Sequence, residues 1–222
     1  MKESQTEQHF NQKLIINLDG KMYKFSTSQI IILILGTPLI SLLIYFFLQF
    51  KINYWIYEFT STQISFILNS LLGMNSQVII DPEHNLFPSI FIPDHPFNQN
   101  YAITTNCIAA HVFSIIISLI LLVPPSKTSS TKKDFILRKT KTLVITVLGI
   151  YLMNIFRIAF LLFFNYKGVP FEFIHESLFF LSAILGSCLT VILLKKWLPE
   201  AFISIYYLYR LISKKERMDS KS

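Results

Sequence analysis

Cys107, Arg157 and His175 are side chains of a kind that can do covalent chemistry, and they sit where the chain otherwise offers little but hydrocarbon. Each lies within or at the edge of a long apolar run, as do His111 and Glu176. A charged group at mid-bilayer costs roughly 2.5–3.5 kcal/mol even on the lenient insertion scale, so such residues face a bundle interior and a partner. A thiol, a guanidinium and an imidazole held together suit nucleophilic acyl chemistry. The sulfur attacks a carbonyl, and the imidazole takes and returns the proton. A fixed cation favours the thiolate and stabilises the oxyanion of the transition state. Arginine suits that part because it stays charged when desolvated.

The elements that must position these residues follow from composition. Of the 222 residues 52% are hydrophobic, 21 are Phe and only 15% are charged, which places the chain among membrane proteins. The formal charge of +7 is gathered into blocks beside the apolar runs. Insertion topology and anionic lipid explain such blocks, and no nucleic-acid partner is expected. Four runs are long enough for helices that cross about 30 Å of hydrocarbon: Gln29–Phe50, Ala102–Val123, Thr142–Phe164 and Phe173–Leu194. The expected fold is an all-α membrane bundle of about four transmembrane helices.

Lys and Arg placement orients it. The stretch Ser126–Lys141 holds six Lys or Arg against one Asp, and the tail after Leu194 holds seven against three acids. From Ile52 to Ser126 neither residue type occurs. Positively charged loops stay cytoplasmic, so both termini are expected inside the cell membrane and the connection between the first two runs outside. In that connection Trp55–Gly73 has helical spacing and reads as an outer interfacial helix. Gln77–Ile92 has two β-rich runs around a Pro- and Asn-bearing turn and suggests a small hairpin. The expected organisation is a cytoplasmic segment over 1–28, a transmembrane catalytic domain over 29–196 and an amphipathic basic cytoplasmic tail over 197–222.

This orientation brings the three reactive groups level. At about 1.5 Å of rise per residue, Cys107 lies roughly 24 Å above the inner end of its helix, Arg157 roughly 22 Å and His175 roughly 28 Å. The site is therefore expected near the extracytoplasmic face. Asn106 precedes the thiol in a polar stretch, Thr104–Asn106. His111, four residues after Cys107, shares its face on a continuous helix and reads as support, while Glu176 adjoins His175. Cys188 reads as a small packing residue.

The order of Cys107, then Asn154-Ile155-Phe156-Arg157, then Ile174-His175-Glu176 resembles the archaeosortase and exosortase family of polytopic cysteine transpeptidases. The resemblance covers roughly 71–194. It implies a nucleophile at Cys107, an oxyanion-side cation at Arg157 and a general acid/base at His175. Asn154 would orient the guanidinium or the substrate backbone. The implied substrates are exported proteins with a C-terminal tripartite signal of short motif, transmembrane helix and basic cluster, which pass to an anchor such as a lipid acceptor in the membrane. No cofactor is implied. One departure stands out: the family commonly has Cys-Thr/Ser-Gly at the nucleophile, and here it reads Cys107-Ile108-Ala109.

Two other readings stay open. Cys107, His111 and His175 could ligate zinc or copper, although the nearby cation opposes a metal ion. A non-catalytic membrane scaffold is the other. Transport is disfavoured by the lack of inverted repeats and broken helix pairs.

Overall fold

The computed structural model describes residues 15–18, 21–80, 87–93, 100–126 and 132–219. The chain is mostly helical and divides into two compact units. Met1–Leu39, Ser118–Leu143 and Ile192–Ser222 make one unit; Ile40–Ile117 and Val144–Val191 make the other.

Among the described residues, strands β1 (Ile15–Leu18) and β2 (Lys21–Lys24) pair antiparallel, Ile16 opposite Tyr23. This hairpin falls in the segment expected only to be cytoplasmic. Helix α1 (Thr27–Gln49) follows, then a single 3-10 turn and helix α2 (Tyr54–Ser70). Strands β3 (Gln77–Ile79), β4 (Ser89–Phe91) and β5 (Asn100–Ala102) form an antiparallel sheet in that order. Helices α3 (Ala110–Leu122), α4 (Lys132–Tyr166), α5 (Phe171–Trp197) and α6 (Glu200–Asp219) complete the chain.

Three helices, α1, α4 and α5, are long and apolar enough to cross a membrane. Most of their large hydrophobic side chains are turned outward: Leu35 is 67% exposed and Phe180 69%. In water such surfaces would drive aggregation; in acyl chains they are at home.

The second apolar run differs from its expected form. Instead of one helix from Ala102 to Val123, the chain makes strand β5, a turn over 105–109 and only then α3, whose 13 residues reach roughly 20 Å, short of a bilayer's hydrocarbon thickness. Strand pairing is the cause, since Ser89–Phe91 of β4 register against Asn100–Ala102 and draw the start of the run into the sheet. Ala109 then takes a left-handed φ of 55°, which no α-helix accommodates. The fourth spanning helix of the expected bundle is thus replaced by a strand, a turn and a short helix.

A helix and a sheet stand where the interfacial helix and hairpin were expected, the hairpin widened by β5 to three strands; the turn expected at 81–85 lies outside the described residues. Helix α2 buries Tyr57, Thr60, Ser61, Ile64, Ser65 and Leu68, the 3–4 spacing of one helical face. Its buried hydroxyls satisfy themselves locally, Thr60 on Ile56 O at 2.7 Å and Ser61 on Tyr57 O at 2.8 Å. This face joins Ile90 and Ile92 of the sheet strand, Ile103 and Ile108 beside the turn, and Ile155, Ile158 and Leu162 of α4 in one core. The opposing strand and helix ends are tied by Asn69, which accepts from Ser76 N (2.7 Å) and donates to Ser76 O (2.9 Å).

The other unit has its own small core, in which Tyr23, Phe25 and Ile30 pack with Ile203 and Tyr207 of α6. Its α4 and α6 ends are fastened by Arg138, whose guanidinium meets Glu200 at 2.8 and 3.2 Å and donates to Trp197 O at 2.9 Å. Glu200 is 1% exposed, and this fork-to-carboxylate geometry is what makes its burial tolerable. Lys139 donates to Leu121 O and Val123 O and so closes the C-terminal end of α3.

Candidate functional site

The site is built on the turn that interrupts the second apolar run. Backbone bonds from Cys107 N to Thr104 O (2.9 Å) and from Ala109 N to Asn106 O (3.2 Å) wind residues 104–109 into a tight coil. Thr105 is buried and fixes this coil from outside: Tyr57 Oη donates to Leu48 O (2.9 Å) and stands 3.2 Å from Thr105 Oγ1. Burial pushes the Tyr57 hydroxyl above its ordinary range, so it remains a neutral donor. The position of Cys107 therefore comes from this turn and not from helical rise, and the helical-face argument linking it to His111 does not apply, because α3 starts only at Ala110.

Cys107 is half-buried. Its Sγ lies 3.6 Å from Thr104 Oγ1 and 3.8 Å from Ala102 O. Its backbone carbonyl accepts a hydrogen bond from Asn154 Nδ2 of α4. Arg157 follows Asn154 by three residues and so projects from the same side of α4. Its Nε is buried with no hydrogen-bond partner among the described residues. The guanidinium lies 5.8 Å from the ring centre of Phe179, within cation–π range.

His175 is carried by α5 in an aromatic column with Phe171 and Phe179, ring centres 5.7 and 6.5 Å away and planes within 16°. Four-residue spacing on α5 puts the three rings on one face. Phe179 thus touches both the imidazole and the guanidinium, joining α4 chemistry to α5 chemistry.

These residues line a common cavity of about 510 Å³. Cys107, Arg157 and His175 are all on its wall, together with Asn106, His111 and Asn154. His111 stacks on Tyr45, ring centres 4.2 Å apart and planes 21° apart, which makes it a packing partner of α1 at the cavity edge. Glu176 is exposed and does not line the cavity; one residue on from His175, it points about 100° away around α5. Cys188 is likewise exposed and off the wall. Among the described residues no three His, Cys, Asp or Glu side chains are grouped to hold a metal ion, so Cys107, His111 and His175 do not form a ligand set.

The sequence reading missed the wall opposite the thiol. Phe171, Phe179, Ser182 and Gly186 of α5 and Met153 of α4 complete it. Their four-residue spacing around His175 was a readable signal; the reach of Met153 toward Gly186, where a Cβ would lie 3.1 Å from Met153 Cε, was not.

Comparison of the chain with protein-family models, with curated proteins and with solved structures yields no match.

Proposed function

We propose that this protein is a membrane-embedded cysteine transpeptidase or protease that acts on the C-terminal sorting signal of exported proteins. The observation that carries the reading is the convergence of Cys107, Arg157 and His175 on one cavity wall, from a turn and two separate helices. In the reaction, Cys107 Sγ bonds to the scissile carbonyl carbon as His175 takes the thiol proton. Negative charge moves to the carbonyl oxygen, where the Arg157 guanidinium offsets it. Collapse breaks the C–N bond, and the amine leaves with the proton held by His175. An acceptor amine, lipid hydroxyl or water then attacks the thioester, and its proton returns through His175 to the sulfur. Asn154 keeps the nucleophile's turn in place, Asn106 faces the incoming chain, and both termini lie in the cytoplasm with the cavity toward the outside.

The departure at Ile108-Ala109 fits this scheme better than it fits a lost activity. Ile108 is 3% exposed and anchors the turn in the core, so its bulk stays out of the cavity. Ala109 adopts the left-handed conformation that glycine takes freely, which preserves the shape of the turn.

The test is processing of a tagged exported protein carrying a C-terminal helix and basic cluster, in the native host. Replacing Cys107 by Ala or Ser should leave the precursor uncut, while Cys188→Ala should cut normally. Normal processing in the Cys107 variants would reject the assignment.

A further inference from the structure

The unit formed by Met1–Leu39, Ser118–Leu143 and Ile192–Ser222 carries a group of exposed lysines. Two of its acids, Asp134 and Glu200, are both engaged by Arg138. Lys132, Lys133, Lys141, Lys195 and Lys196 are exposed, and among the described residues no carboxylate pairs with them. Two of these ammonium groups converge on one indole: Lys141 Nζ lies 4.4 Å and Lys196 Nζ 6.0 Å from the ring centre of Trp197. Like charges drawn to one ring repel each other, and an anion between them relieves that repulsion.

Helix α6 adds an apolar face beside this cluster. Its inner side, Ile203 and Tyr207, is used against the hairpin residues Tyr23 and Phe25. Its outer side shows Phe202, Ile205, Tyr206 and Tyr209, between 38% and 67% exposed, at the 3–4 spacing of a second stripe. Among the described residues nothing in the unit covers that stripe. The location says what does: Trp197 ends α5, a helix of 27 residues capable of crossing a bilayer, so this end stands at headgroup depth. Aromatic side chains with lysines above them at that depth match acyl chains below and phosphate above.

We infer that the Lys141–Trp197–Lys196 cluster is a binding site for the phosphate of an anionic phospholipid, with the outer stripe of α6 lying in the same leaflet. The site is separate from the cavity that holds Cys107, and it stands whether or not that cavity is catalytic.

The experiment uses the full chain with Trp55→Phe, so that Trp197 is the one remaining indole, in phosphatidylcholine nanodiscs doped with brominated phosphatidylglycerol or, at equal fraction, brominated phosphatidylcholine. Bromine quenches the indole on contact. The glycerol lipid should occupy the site in preference by roughly fivefold per lysine, and added salt should shrink that preference. Lys141→Gln with Lys196→Gln should abolish it, while Lys141→Arg with Lys196→Arg should keep it. Equal quenching by both lipids, a preference that survives the Gln pair, or its loss in the Arg pair would overturn the inference.

Discussion

Ala109 carries the Cys107 turn at φ 55°, where an L side chain crowds the following carbonyl by roughly 1–2 kcal/mol. Glycine removes that crowding but gives the unfolded chain more freedom, which offsets part of the gain. Ala109→Gly should therefore raise stability by about 0.5–1 kcal/mol, read as a higher unfolding midpoint in detergent, and Ala109→Val should lower it. A glycine variant that melts earlier would mean the left-handed turn is not the resting conformation. Asn154 offers a second check. Its amide N–H holds the Cys107 carbonyl, and the carboxylate of Asn154→Asp cannot donate. That variant should lose about 1–3 kcal/mol of stability through the orphaned carbonyl and should cut kcat more than it raises KM, because the sulfur is displaced while the rest of the cavity stays intact. Wild-type kcat in Asn154→Asp would remove Asn154 from the positioning of the nucleophile.

Helices α4 and α5 form the walls that face the thiol, and their contact is set by small residues. A Cβ on Gly149 would lie 2.7 Å from Leu189 Cδ2, so the Leu189 side chain packs over the bare backbone of Gly149. Gly149→Ala should cost up to about 2 kcal/mol, the displacement of Leu189 being partly offset by about 1 kcal/mol of alanine helix propensity. Leu189→Ala in the same chain should recover part of that loss, giving a favourable coupling in a double-mutant cycle; strict additivity would contradict the contact. At this scale the sequence was informative where period and length agreed. The apolar runs behind α1 and α5 fall within three residues of their expected ends, since twenty apolar residues admit few other structures. Helix α4 ends two residues late and begins ten residues early, at Lys132, because it continues into the basic stretch before the apolar run. The run at 102–123 was misread for a physical reason: hydropathy does not distinguish an apolar strand and turn from a helix, and the pairing partner that claims Asn100–Ala102 lies at Ser89–Phe91, a nonlocal contact. The hairpin at 15–24 was missed on similar grounds, because its strands have only four residues each and pair across a turn that hydropathy does not mark. Within the site, the identities of Cys107, Arg157 and His175 were legible from their chemical incongruity. The aromatic column that seats His175 and the amide that seats Cys107 depend on rotamers and on chain crossings that spacing alone does not fix.

Taken over its whole length, the molecule combines three helices fit to span a bilayer with a unit whose core and cavity surround a single half-buried thiol. A cavity wall that mixes phenyl rings with one guanidinium and two imidazoles is unfavourable to build without partners for its polar groups, and the proposed reaction supplies one. The account therefore stands or falls on whether the sulfur becomes acylated. The most direct measurement is mass spectrometry of the full chain after incubation in native membranes with a tagged exported protein that bears a C-terminal helix and basic cluster. A hydroxylamine-labile adduct of that protein at Cys107, lost in Cys107→Ala and kept in Cys188→Ala, is the result expected. Cleavage of the tagged protein with no adduct at Cys107, or an adduct that survives Cys107→Ala, would contradict the account.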